Sequence, residues 1–364
     1  MVNVILPDCI IHDILARLPT KVLYRCKCVS KHWNSLITDP YFIKMRKRQM
    51  ILLPSSPIQV LDDNYPNDDM ANLMFKLPSP YRNPQNNDVI FLGTVNGIVL
   101  LVVNYTRMIL YNPFTGASKL LPYPISDLAC GSNHIYGFGY GATLDDLKIL
   151  RFDQSAFYAH QSAFYARDYD ILHVFRFRTN SWSMSRNYNI KNILIKDNDV
   201  GTFLNVSLHW IVYKYQMMIM ALNLENMVLS YIPLPVPGSG HNTRSRLATL
   251  HGRLCIIDSN YYGQTRLFVS VMKEQGVWSE QCLFISGLEV INIQGFAPPL
   301  TLLNDGRILM MNNSKKLIIY DTLKHSFKVL ELSEKLYYDE KHSCGLSVIE
   351  YVETLVSPSD FFAV

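Results

Sequence analysis

The sequence predicts a mainly β chain, with a small helical module at the N-terminus followed by a β-propeller-like domain of about six blades. Three observations carry this. Residues 6–42 hold apolar side chains at helical spacing. From Val89 onward the chain becomes short strands and polar turns. That phrase then recurs about every 45–50 residues, the spacing of a four-stranded propeller blade. With 364 residues, 49% of them hydrophobic, there is ample material for a large core.

The first helix is written by Ile10, Ile14 and Leu18, with Ile11 and Leu15 beside them. Pro7 and Asp8 suit its first turn, where a missing N–H costs nothing and a carboxylate meets the positive helix end. Pro19 stops it, because a proline ring pushes the preceding residue out of helical geometry. Thr20 then caps a second helix, whose apolar positions Leu23, Cys26, Val29, Trp33, Leu36 and Ile37 run to a stop at Asp39-Pro40. A segment of about 40 residues cannot normally bury enough surface to fold alone, so this stripe must dock on something. Residue order alone leaves the remainder of the chain as one candidate.

Residues 1–50 carry a net charge of +6, and the whole chain +4, so the remainder is slightly acidic. Lys44, Arg46, Lys47 and Arg48 form the densest basic cluster, which reads as a solvated face; no nucleic-acid motif accompanies it. No stretch approaches the roughly 20 apolar residues that cross a bilayer, and residues 1–20 lack the apolar centre of a signal peptide. The chain is therefore expected in the cytoplasm or nucleus, away from membranes. Its seven cysteines, Cys9, Cys26, Cys28, Cys130, Cys255, Cys282 and Cys344, are scattered, which suits free thiols. Cys26 and Cys28 lack a partner pair for zinc. The sequons at Asn104, Asn205 and Asn312 are expected to go unused.

Residues 51–92 read as a transition, with short strands at Met50 to Leu53 and Leu73 to Leu77 between polar, turn-rich stretches. The run Val95 to Val102 is a strand, followed by a turn at Asn104 to Arg107, the strand Met108 to Tyr111, the turn Asn112 to Gly116 and the strand Lys119 to Pro122. Residues 202–235, 248–284 and 300–332 repeat this meander. Taking the residue that leaves the central strand, Tyr111, Phe177, Leu222, Met272 and Tyr320 are separated by 66, 45, 50 and 48 residues. The long first interval holds a tandem duplication, 154–160 and 161–167, expected on a solvent-facing loop. Strands near both ends of the chain supply a shared last blade, which closes the ring and removes exposed edges.

Little in the chain suggests catalysis. Gly137 to Gly141 reads Gly-Phe-Gly-Tyr-Gly, but no phosphate-loop lysine follows and the flanks are strands, so turn glycines explain it. The histidines are dispersed, and His209-Trp210 reads as part of a half-buried strand. No metal, cofactor or nucleophile arrangement emerges, and none is expected.

Two segments nevertheless carry a specific resemblance. Leu6-Pro7, Ile14-Leu15, Leu18-Pro19, Leu23, Arg25, Val29-Ser30-Lys31, Trp33 and Leu36-Ile37 closely resemble the F-box, with departures at Cys9 and His12. Asn96 to Leu100, Tyr111-Asn112-Pro113, Gly137 to Tyr140, Arg178 to Trp182, Leu208-His209-Trp210, Gly276-Val277-Trp278 and Tyr351 to Pro358 resemble the F-box-associated, kelch-like propeller domain of plant F-box proteins. The double glycine of true kelch repeats is missing.

These resemblances imply an organisation of residues 1–48 as the adaptor-binding F-box, 49–88 as linker and first propeller strands, 89–358 as the substrate-recognition propeller and 359–364 as a tail. They also imply a non-catalytic receptor of a Skp-cullin-F-box ubiquitin ligase. Leu6, Pro7, Ile10, Ile14, Leu15, Leu18, Pro19, Leu23, Val29 and Trp33 would bind a Skp-type adaptor, and through it a cullin scaffold. The propeller would select an unidentified protein for ubiquitylation. The rival expectation is a sugar- or nucleic-acid-binding propeller, or an enzyme, whose helices pack intramolecularly.

Overall fold

The structure is a computed structural model that describes residues 7–18, 20–39, 41–42, 49–55, 57–62, 73–75, 89–104, 107–123, 134–153, 171–185, 188, 193–195, 200–235, 244–259, 266–284, 299–303, 305–313, 316–332, 348–354 and 356–362. Three helices open it, α1 (Asp8–Arg17), α2 (Thr20–Cys26) and α3 (Lys31–Thr38), and six antiparallel sheets follow as the blades of a propeller. Blade I takes Ile349–Val352 as its first strand and Gln49–Leu53, Ile58–Asp62 and Leu73–Phe75 as the others. Blade II is Val89–Val95, Ile98–Val103, Arg107–Tyr111 and Ser118–Leu121; blade III is His134–Tyr140, Leu147–Asp153, Ile171–Arg176 and Ser181–Ser185. Blade IV has Thr202–Leu204, Ser207–Lys214, Gln216–Asn223 and Leu229–Pro233, with a short extra strand Leu194–Ile195. Blade V is Arg244–Leu250, Arg253–Ser259, Arg266–Glu274 and Val277–Phe284; blade VI is Pro299–Leu302, Ile308–Asn313, Lys316–Asp321 and Ser326–Glu331.

The ring closes in blade I, where Gln49 pairs with Val352 and Leu52 with Ile349. Its core is a set of buried clusters, one at each junction between successive blades. Strand alternation feeds two junctions at once. In Ile98–Val103, Ile98, Leu100 and Val102 face blade III while Val99, Leu101 and Val103 face blade I. A strand buried on both faces needs a continuous apolar run, which is what Ile-Val-Leu-Leu-Val-Val supplies. Indole N–H groups tie outer strands across junctions: Trp182 donates to the Pro122 carbonyl at 2.8 Å and Trp278 to that of Pro233 at 3.1 Å.

Several local expectations change. The helix expected from Thr20 to Ile37 is two helices, because Ser30, in extended geometry, accepts a hydrogen bond from the Trp33 N–H at 3.0 Å and caps α3. The single strand expected over Val95 to Val102 is a hairpin. Asn96 and Gly97 both have positive φ, 48° and 73°, the geometry of a tight turn that matches strand twist. Asn205-Val206 and His251-Gly252 turn in the same way. Residues 51–92 contribute a further strand, Ile58–Asp62, with Ile58, Val60 and Leu61 buried.

The glycines of Gly137 to Gly141 are not all turn residues. Gly137 and Gly139 lie within a strand, and a Cβ there would stand 2.6 Å from Leu208 and 2.4 Å from Phe203, so blade IV packs directly on this backbone. His209 and Trp210, read as part of a half-buried strand, are both buried, Trp210 at this same junction and His209 on the opposite face of the strand. The duplicated segment 154–167, the basic cluster 44–48, Cys130 and Cys344 lie outside the described residues.

The meander sorts its connections between two ends of the ring. Turns joining first to second and third to fourth strands lie at one end, here the near end; all others lie at the far end. Gln49 begins at the near end, so the helical module enters there.

Candidate functional sites

The helical module has a core of its own, made by Ile11, Leu15, Leu23, Ile37 and Phe42 with Leu18, Cys26, Trp33 and Leu36 partly buried against it. His32 of α3 bonds Asp8 at the start of α1 at 2.9 Å. Of the residues expected to contact an adaptor, Leu15 and Leu23 face this internal core, and Leu18 and Trp33 are half-buried. Pro7 is exposed, and so are Ile10, Ile14 and Val29 at 43%, 48% and 64%. Leu6 and Pro19 lie outside the described residues. Val22 and Tyr41, not anticipated from the sequence, are also exposed. The module thus presents large apolar side chains to solvent although its interior is filled.

The module also touches the ring. The Lys27 ammonium, just after α2, sits 4.2 Å from the centroid of the Phe114 ring in a near-end turn of blade II. Burial lowers the Lys27 pKa, and the charge of the buried Glu353 opposes that shift. Other near-end turns carry both signs, Asp145, Asp146, Glu225 and Asp305 beside Arg178, Arg307 and Lys324. The segment after blade I is held on the same end. Asn112 donates to the carbonyls of Thr354 and Val356, and Phe361 and Phe362 pack on Phe177.

First strands from all six blades line a central cavity of about 200 Å³. Its wall mixes Phe138, Phe203, Leu247 and Leu300 with Thr94, Thr249, Thr301, Arg246 and Glu350, and Thr249 donates to Glu350 at 3.4 Å. That volume is below the roughly 300–1,000 Å³ of ordinary ligand pockets. Cys255 is buried, with its thiol pushed up to about 11 mainly by burial, a poor nucleophile at neutral pH. No helix of the described residues is long and apolar enough to cross a membrane.

Comparison with known proteins fits both parts. Residues 5–45 match the F-box domain model, and residues 49–358 match the F-box associated beta propeller domain model. An F-box protein of Arabidopsis thaliana, At3g16210, is 29% identical over 76% of this chain and 72% of its own length. The F-box protein CPR1 of the same plant is 24% identical over 90% and 85%, and the F-box/kelch-repeat protein At3g23880 is 25% identical over 98% and 96%. Among solved structures, an oligogalacturonate lyase from Vibrio parahaemolyticus aligns over 81% of this chain and 82% of its own at 9% identity, with a TM-score of 0.43, too loose to bear on function. A filled helical core with an apolar outer face, a six-bladed ring closed by both ends of the chain, and two domain matches spanning residues 5–358 place this chain in the family of plant F-box proteins that carry an F-box-associated β-propeller.

Proposed function

We propose that this chain is the substrate receptor of a Skp-cullin-F-box ubiquitin ligase. Residues 1–48 would bind a Skp-type adaptor and through it a cullin, and the propeller, residues 89–358 with the strands of 49–88, would hold a target protein. The observation that carries the reading is the exposed apolar set Ile10, Ile14 and Val29 on a module whose own core is complete. Such side chains have no intramolecular use, and a partner that covers them gains their burial. A stable interface buries on the order of 1,600 Å² in total, within reach of a module this size.

The receptor in this reading touches no reacting bond. It raises the effective concentration of a substrate lysine near a charged conjugating enzyme, and proximity supplies the acceleration. A site in the cytoplasm or nucleus follows from those partners.

The test is adaptor capture by the full chain after Ile10→Asp with Ile14→Asp. Both side chains are close to half exposed and lie outside the module's core, so the propeller's thermal transition should stay in place while capture weakens at least tenfold. Undiminished capture would refute the assignment.

A further inference from the structure

We infer that the helical module fastens the closing seam of the ring, with Lys27 as the latch, so that docking of the module and closure of the ring are one coupled event whatever partner the module carries. The seam differs from every other join in the propeller. Five of the six sheets are built from one continuous stretch of chain, whereas blade I joins Gln49–Leu53 to Ile349–Val352, about 300 residues apart. Closing so long a loop costs more entropy than forming a hairpin, and the strands that do it share four residue pairs.

Side-chain contacts gather at this seam. The Asn112 amide donates to the carbonyls of Thr354 at 3.0 Å and Val356 at 2.8 Å, and the Phe114 N–H donates to the hydroxyl of the buried Tyr351 at 3.0 Å. The Phe114 ring belongs to the buried cluster that holds Met50, Leu52, Ile349 and Tyr351, so it packs with residues from both sides of the seam. Glu353, just past the closing strand, is buried as well.

Lys27 reaches this assembly from the module. Its ammonium stands 4.2 Å from the centroid of Phe114 and feels the charge of Glu353. A buried carboxylate is costly unless cations and hydrogen bonds compensate it, and Lys27 gives up part of its own hydration to do so. Removing the ammonium therefore weakens the segment that carries Glu353, and not the module alone. The coupling is reciprocal, because a loosened seam displaces Phe114 and Glu353 and so dismantles the seat of Lys27. Chain path adds to this. The first strand after the module, Gln49–Leu53, is one side of the seam, while Glu353 extends the other. The backbone ties the module to one side and Lys27 ties it to the opposite one.

Hydrogen exchange on the full chain, read by mass spectrometry, tests this blade by blade. Lys27→Met keeps the apolar stem and removes the charge. Expected is exchange at least tenfold faster in residues 49–53, 112–116 and 349–354, with 207–223 and 253–259 of blades IV and V unchanged, which also shows that the variant is folded. Lys27→Arg, which keeps a cation over the ring, should exchange like the natural protein. Adding Glu353→Gln to Lys27→Met should restore most of the lost protection, since no buried carboxylate then has to do without Lys27. Lys316→Met, which removes a 2.9 Å ion pair with Glu331 on blade VI, is the control and should leave the seam as it was. Unchanged exchange at the seam in Lys27→Met, faster exchange confined to the helices, faster exchange in every blade, or loss of protection in Lys27→Arg overturns the inference.

Discussion

The two ends of the propeller are built to different rules. At the near end, hairpins such as Asn96-Gly97, Asn205-Val206 and His251-Gly252 are two residues long, with both φ values positive. Turns between third and fourth strands reuse one device: the side chain of Asn112, Asn223 or Asp321 accepts the two N–H groups that follow two and three residues on. The connections between second and third strands differ widely in length, from the single residue Tyr215 in blade IV to the stretch of more than a dozen residues that separates Asp153 from Ile171 in blade III. One end fixes register and receives the helical module. The other is free to vary without moving a strand, which is where a fold can carry recognition.

The contrast is easiest to break at Gly97. Its φ is +73°, and a Cβ there would come 2.3 Å from the Val352 carbonyl and 2.5 Å from Thr354. Gly97→Ala combines left-handed strain with a clash against backbone, in the turn beside the closing blade, and is expected to cost about 3 kcal/mol. Chemical denaturation of the full chain checks this. Gly116 supplies the internal control, since its φ is +76° and a Cβ added there would meet nothing within 4 Å. Gly116→Ala therefore isolates the backbone strain, and about 1 kcal/mol is expected. Equal costs at the two sites would mean that packing against the closing strand contributes nothing, and the account of the near end would fail.

How much of this was legible in the sequence follows from what each feature depends on. Tyr111, Leu222, Met272 and Tyr320 all fall in third strands, and Phe177 just after one, because apolar periodicity along a strand is a local property. A further marker was available: Asn112, Asn223 and Asp321 each follow a landmark by one residue and cap the same turn. The hairpin at Asn96-Gly97 was missed although the dipeptide is a strong turn signal, because the apolar residues on either side read as continuous. Gly137 and Gly139 could not be understood locally, since the atoms that exclude a side chain belong to Leu208 and Phe203, some 60 to 70 residues away.

In the helical module, spacing located the apolar stripe but not its division. Leu15 and Leu23 turn inward while Ile10, Ile14 and Val29 turn outward, and only the packing of three short helices decides between them. The break before α3 was written in Ser30, a good cap whose Trp33 partner lies three residues on. The contact of Lys27 with Phe114 had no sequence signal at all, since it joins two residues far apart in the chain.

The smallest expected effect sharpens the comparison from inside the ring, where blade IV meets its neighbours. His209 is buried, and burial lowers its pKa, with a hydrogen bond to the Thr202 carbonyl at 3.2 Å acting in the opposite direction. A histidine depressed in the folded state stays neutral there while the unfolded chain takes a proton near its ordinary value of about 6.5. Stability from this group is therefore fully present above that pH and is lost as pH falls below it, until the folded form also protonates. The slope is at most about 1.4 kcal/mol per pH unit for one proton. Thermal melts between about pH 5 and 8 should show the natural protein losing stability on the acid side. His209→Gln, which keeps an amide able to bond the Thr202 carbonyl, should flatten that part of the profile while Tyr215→Gly leaves its shape alone. An unchanged slope in His209→Gln would show that other buried groups carry the acid sensitivity, and that this junction is no more pH-dependent than the far end.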